Sequence, residues 1–237
     1  MPTYSSRGEP QVSKVVERQM RNWELARAQQ LTPPTGTSRR DVADFVSLSR
    51  TVGCGGTEIA ARLGQRLGWP VFDRQILQAM AGDDKLRAQL YERMDERDVS
   101  WLEDAMRWIM RGEFRQEDFV HRLTETVLAL ARKGPAVFLG RGVDLILPQE
   151  RGLRVRLTAS LEFRSQRFAL LNNITAAMAR DEVERIDRER ADFRRHHFGP
   201  DANEQVRHDL IVVLDHFTAE QAVELIVATL RIRGVIR

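Results

Sequence analysis

The chain is nearly free of cysteine: Cys54 is its only one in 237 residues. That excludes an internal disulfide and fits a reducing compartment. No apolar run approaches the ~20 residues that a membrane span requires. The opening segment, Met1 to Pro10, has no apolar region of the signal-peptide type, so the reading is a cytoplasmic protein without membrane contact. A one-sided charge excess is also missing. With 37 basic against 34 acidic residues the net charge is only +3, which argues against nucleic acid as the main partner. There is no G-x-S-x-G elbow for a serine hydrolase and no His/Cys set at zinc spacing. His196 and His197 are adjacent, and adjacent helical positions diverge by about 100°, so they cannot readily share one metal. They read instead as a complement to a helix C-terminus before Gly199 and Pro200. What remains is 42% hydrophobic and 30% charged residues, enough for a globular core that needs no staples.

The chain divides into an N-terminal extension, 1–40, and one domain, 41–237. The first dozen residues read as disordered. From Lys14 to Gln30, Val16, Met20, Trp23 and Ala26 recur at helical spacing and make one apolar stripe, and Pro33-Pro34-Thr35-Gly36 then breaks the chain. In the domain, β-like runs fall at Phe45–Ser49, Val71–Asp73, Ala136–Leu139, Leu153–Thr158 and Asp209–Leu214. Helical patterns separate them. Ile59, Leu63 and Leu67 share a face that Gly68 ends, Ser100 to Glu103 has capping-box spacing, and Thr218 to Gln221 caps the last helix. Short hydrophobic strands alternating with helices predict an α/β fold with a parallel sheet covered on both faces. Two regions exceed a minimal βαβ unit. One is a charged helical insertion at about 82–115 with Trp101 and Trp108. The other is an Arg-rich helix at about 180–198, placed to serve as a lid. Apolar stripes at Trp23 and Trp101 make a homodimer through the N-terminal helix or the insertion an expectation.

The strand–turn–helix Phe45 to Leu67 carries the sharpest signal. Gly53, Gly55 and Gly56 suit a backbone cradle at a helix N-terminus, where a phosphate sits well. Cys54 and Glu58 belong to the same segment, and Thr57 places a hydroxyl where Mg²⁺ is expected. The phosphate-binding pattern G-x-x-x-x-G-K-[ST] is nonetheless broken. The register ending at Thr57 puts Gly56 where Lys belongs and Arg50 where the first Gly belongs. A ligand-free turn, with Cys54 as a small filler, is the bland alternative.

Ser47-Leu-Ser-Arg-Thr-Val-Gly-Cys-Gly-Gly-Thr-Glu-Ile-Ala60 followed by Leu67-Gly-Trp-Pro-Val-Phe-Asp-Arg74 resembles the opening of the cytidylate-kinase-like family, a divergent branch of P-loop nucleoside monophosphate kinases. Phe138-Leu-Gly-Arg-Gly142, Arg156-Leu-Thr-Ala-Ser160, Ile186-Asp-Arg-Glu-Arg190 and Phe198-Gly199 extend the likeness in order over most of 44–230. The resemblance implies a three-layer P-loop kinase fold with a five-stranded parallel sheet, a helical lid and insertion, and an extra N-terminal helix. It implies ATP and Mg²⁺ as donor and cofactor, and a nucleoside monophosphate as acceptor. By that likeness Asp73, Arg74, Arg141 and Asp187 bind the acceptor, Arg164 and Arg167 the donor, and Arg185, Arg190 and Arg194 close over the transferred phosphate. Alternatives stay beside these roles. Asp73 also reads as a cap on the helix beginning at Arg74, and charged helices often carry only solvated i,i+4 pairs. Gly142 stands where the family has Asp.

The lost lysine matters because one well-placed arginine in phosphoryl transfer is worth roughly 10³–10⁵ in rate. Arg50, entering the loop from its strand, is the candidate substitute. Two functions follow from the sequence: an ATP-dependent kinase of a nucleoside monophosphate, or a catalytically silent nucleotide-binding sensor that meets a partner.

Overall fold

The computed structural model describes residues 42–91, 94, 96–110, 118–148, 151–203 and 207–236. The expected N-terminal helix and its Trp23 lie outside these residues. Strand β1 (Phe45–Arg50) leads into helix α1 (Gly56–Leu67), then β2 (Val71–Phe72) and α2 (Arg74–Gly82). The insertion forms α3 (Asp84–Tyr91) and α4 (Glu96–Met110), followed by α5 (Asp118–Lys133) and β3 (Ala136–Leu139). A short α6 (Val143–Ile146) precedes β4 (Gly152–Thr158), α7 (Leu161–Asn172), α8 (Ala176–Phe198), β5 (Leu210–Val213) and α9 (Ala219–Ile232).

All strand pairings are parallel, in the order β2-β3-β1-β4-β5. β1 is central, and strand parity sends its residues to two separate cores. Phe45 joins Phe72, Phe138, Leu77, Met80 and Leu123 beneath α2 to α6. Phe72 and Phe138 stack with ring centroids 5.6 Å apart. Each such fully buried side chain contributes about 1.5–3 kcal/mol by leaving water. Val46 and Leu48 face the other way, against Ile59 and Leu63 of α1 and Ile226 and Leu230 of α9. Two helical layers on one parallel sheet make the expected three-layer α/β fold. Among the described residues no helix is long and apolar enough to cross a membrane.

Local signals explain the element ends. Gly68 ends α1 in the left-handed conformation at φ 67. The Thr218 side chain accepts from Gln221 N, and the Gln221 side chain answers on Thr218 N, closing a capping box on α9. The box expected at Ser100 does not start a helix. α4 begins at Glu96, leaving Ser100 inside it, because nothing in the preceding turn breaks the helix. Trp101, expected on an exposed stripe, packs partly buried against the first core with the Arg132 guanidinium 5.2 Å from its ring.

Candidate functional site

The glycine loop crosses the carboxyl end of β1, where open α/β sheets bind ligands. Gly55 adopts φ 86 and caps α1 with no side-chain hydrogen bond, so the first-turn N–H groups have no side-chain cap. That is the state an anion site requires. The loop is pressed under α7: a Cβ on Gly53 would lie 2.5 Å from Arg164 O, and one on Gly55 3.3 Å from the Arg167 guanidinium. Cys54 is buried in the second core, its thiol 3.8 Å from Leu157 O, and burial pushes that thiol's pKa up. It is a core filler. Thr57 is exposed in the first turn of α1. No group of three His, Cys, Asp or Glu residues among those described could hold a metal. The exposed Thr57 hydroxyl could serve as one ligand to a divalent cation carried by phosphates, the usual habit of Mg²⁺.

Arg164 and Arg167 project from α7 onto this loop, and both are engaged. Arg164 donates through Nη1 to Val52 O at 3.1 Å and through Nε to Ala159 O at 3.0 Å, and pairs with Asp187. Asp187 in turn accepts from Val52 N at 2.8 Å. It thus ties helix α8 to the glycine loop and to α7. Arg167 pairs with Glu58 at 2.9 Å, and the Arg167 and Arg62 hydrogen bonds hold the Glu58 carboxyl below its ordinary pKa.

Beyond the ends of β1 and β3 lies a cavity of about 190 Å³. Arg50, Arg74, Arg141, Arg156, Arg190 and Arg194 reach it from six places in the chain. Ile186, Arg190, Phe193 and Arg194 line it from one face of α8, the i, i+4, i+7, i+8 set. Arg185 is out of that phase. It is exposed and pairs with Glu182 and Glu189 on its own helix. Among the described residues Glu189 is the one acid on the cavity wall, and Arg185 already holds it.

The six cavity arginines fall into different states. Arg194 is buried and forks onto Asp144 with both contacts at 2.8 Å, and its Nε donates to Ala202 O at 3.0 Å. Burial alone would raise the Asp144 carboxyl, and the Arg194 fork reverses that and holds it low. Arg156 donates to Ser49 Oγ at 3.4 Å, and the same oxygen lies 2.8 Å from His208 Nε2. Arg190 Nη1 donates to Arg50 O at 3.2 Å. Arg50, Arg74, Arg141 and Arg190 have no carboxylate salt bridge among the described residues. Burial first, then Arg190, lowers Arg50 to about 10. Burial, then Arg74 and Arg190, does the same to Arg141, also to about 10. Arg141 holds a left-handed backbone at φ 58 although it is not glycine, and its Nε is buried without a hydrogen-bond partner. Its guanidinium lies 4.8 Å from the Phe193 ring centroid. Strain at this position aims a cation into the cavity.

Asp73 spends Oδ1 on Gln75 N at 2.9 Å and Ile76 N at 3.0 Å, capping α2, while the exposed Arg74 reaches the cavity wall. The family's Asp would be strained at Gly142 and would force Phe198 to move. A Cβ there would sit 2.5 Å from Phe198 Cε2, and φ is 70. Phe198 at the end of α8 is packed onto this turn. Sequence reasoning missed Ser49, Asp144, Arg156 as a cavity residue, Phe193 and His208. The polar residues Ser47, Ser49, Arg154 and Arg156, alternating within two otherwise apolar buried strands, were the available signal.

The cytidylate kinase-like family pattern matches residues 45–216, and the chain belongs to that family. It is thereby of the kinase class, with phosphoryl transfer as its general chemistry. An uncharacterised protein from Eubacterium ventriosum has the same fold at 16% identity and TM-score 0.62, over 79% of this chain and 97% of its own. A shikimate kinase from Bacteroides thetaiotaomicron is 13% identical with TM-score 0.43, over 79% and 98% of the two chains. A gluconokinase from Sinorhizobium meliloti is 14% identical with TM-score 0.43, over 82% and 95%. No curated protein matches the chain.

Proposed function

We propose that the chain transfers a phosphoryl group from ATP to a nucleoside monophosphate, with cytidylate the first acceptor to test. The observation that carries this reading is the cavity's unpaired charge: Arg74, Arg141 and Arg190 face one space with no carboxylate salt bridge among the described residues. Guanidiniums that repel one another in the empty protein are stabilised when a dianion arrives, and their forks suit phosphate oxygens. The donor phosphates belong on the uncapped start of α1, with Thr57 toward Mg²⁺, whose charge would offset theirs. In the transfer, a phosphate oxygen of the acceptor bonds to the γ phosphorus as the bond to the β–γ bridging oxygen breaks. That oxygen leaves with the electron pair as ADP. No side chain takes a proton in that step, which suits a site built of arginines instead of general bases.

Gly56 in place of lysine supports a second reading, a nucleotide-binding sensor that does not turn over. A coupled ATP-consumption assay across nucleoside monophosphates with Mg²⁺, run beside calorimetry, separates the two. Turnover with one of them is the expected result. Nucleotide binding with no turnover for any acceptor would leave the sensor.

A further inference from the structure

Gly56 occupies the lysine position of the loop, and a side chain there would be crowded by Arg50. A Cβ there would lie 3.0 Å from Arg50 Cγ and 3.2 Å from Arg50 Cβ. The Arg50 stem therefore crowds the first carbon of any side chain placed at 56. At its far end, a Cβ on Gly140 would overlap Arg50 Nη1. Two glycines, one opening α1 and one following β3, thus clear a channel for a single side chain. That side chain starts on β1, passes beside the start of α1 and ends in the cavity. Its guanidinium has no hydrogen bond or ion pair with any described residue, and burial holds its pKa down near 10, so it is still charged at neutral pH. A half-buried, forked, unpaired cation between a helix start and an acceptor cavity is costly unless an anion meets it.

We propose that Arg50 is the loop cation relocated: it contacts the γ-phosphoryl group of the donor from the strand side and does the work of the absent lysine. This rests on the kinase reading. As the phosphorus parts from the ADP oxygen and bonds to the acceptor oxygen, Arg50 keeps its protons and donates hydrogen bonds to the phosphoryl oxygens. Glycine at 56 is then a requirement of the device, not a lesion.

The test uses the full chain and calorimetry with Mg²⁺-ADP and with Mg²⁺-β,γ-methylene-ATP, which carries a γ-phosphate. Arg50→Ala is expected to weaken the analogue about tenfold or more while ADP changes by no more than about twofold. Gly56→Lys alone should weaken the analogue, because two stems compete for one space. Arg50→Ala with Gly56→Lys should recover most of the preference for the analogue over ADP. Equal losses for both nucleotides in Arg50→Ala, or no loss, would overturn the proposal. So would a Gly56→Lys chain that binds both nucleotides as the parent does. If no acceptor turns over but the γ-phosphate effect is present, the kinase reading fails and the Arg50 contact stands. If turnover survives Arg50→Ala undiminished, the reverse holds.

Discussion

The arginines over the loop and those in the cavity differ in whether an acid already holds them. Arg164 and Arg167 are matched to Asp187 and Glu58. Arg50, Arg74, Arg141 and Arg190 have no such match among the described residues, and burial lowers the pKa of Arg50, Arg141 and Arg190. Charge on the loop side is spent on bracing: it ties α7, α8 and the loop together before any ligand arrives. Charge on the cavity side costs stability until an anion is bound. Arg194 belongs with the first group although it touches the cavity, since Asp144 satisfies its fork. Residue type and address alone therefore do not sort these arginines. Their counter-ions do.

The contrast breaks most sharply at Arg194. Asp144→Ala strands a buried guanidinium, and losing one partner of a buried pair costs about 3–5 kcal/mol. Urea unfolding should show that loss, and ligand affinity per folded molecule should change far less. Arg141→Ala should do the opposite. Removing one charge-assisted contact costs about 1.5–3 kcal/mol of phosphate affinity. Stability should stay level or rise, because a repelling, partly buried cation is gone. Calorimetry with cytidylate beside a melting curve reads both quantities, and a large fall in melting temperature would move Arg141 into the bracing group.

Acid should attack the braced group first. The Asp144 carboxyl is held below its ordinary 3.8 in the folded chain, so between the two values the unfolded chain binds more protons. Its contribution is complete above that ordinary value and drains away as pH falls through the lower folded one. Asp144→Asn should flatten the acid limb of the stability curve by up to about one proton. Parallel acid limbs for the parent and the variant would remove Asp144 from the account.

Much of this layout is legible in the sequence because local rules and the fold agree there. Alternation in Phe45 to Arg50, the glycine stop at Gly68 and the box at Thr218 each specify what forms. Asp73 was readable as either a cap or a ligand, and its Oδ1 caps α2. Ser100 misled, because capping-box spacing inside a longer helix leaves no trace of the turn before it. The Asp144–Arg194 pair was hidden for a different reason. Its partners are 50 positions apart and meet only when α8 packs Phe198 onto Gly142. Pairing over such a separation has no periodicity to read. Arg50 was readable as the candidate substitute cation, but its crowding of Gly56 and Gly140 was not, since that depends on how β1, α1 and β3 pack.

Helical phase supplies the finest division. Arg185 and Arg190 stand five positions apart on α8, about 140° around the axis, so they cannot face the same wall. Arg190 faces the cavity, and Arg185 faces solvent with Glu182 and Glu189 as its partners. Exposed pairs of this kind are screened and contribute little. Arg185→Ala should therefore change turnover by less than about twofold and leave the melting curve in place. Arg190→Ala, about 1.4 turns away, should fall in the same class as Arg141→Ala. A steady-state comparison of the two variants with saturating Mg²⁺-ATP and varied cytidylate decides it. Equal losses from both would mean that α8 turns its outer face inward when substrate binds, and that the lid, not the cavity wall, carries the closing charge.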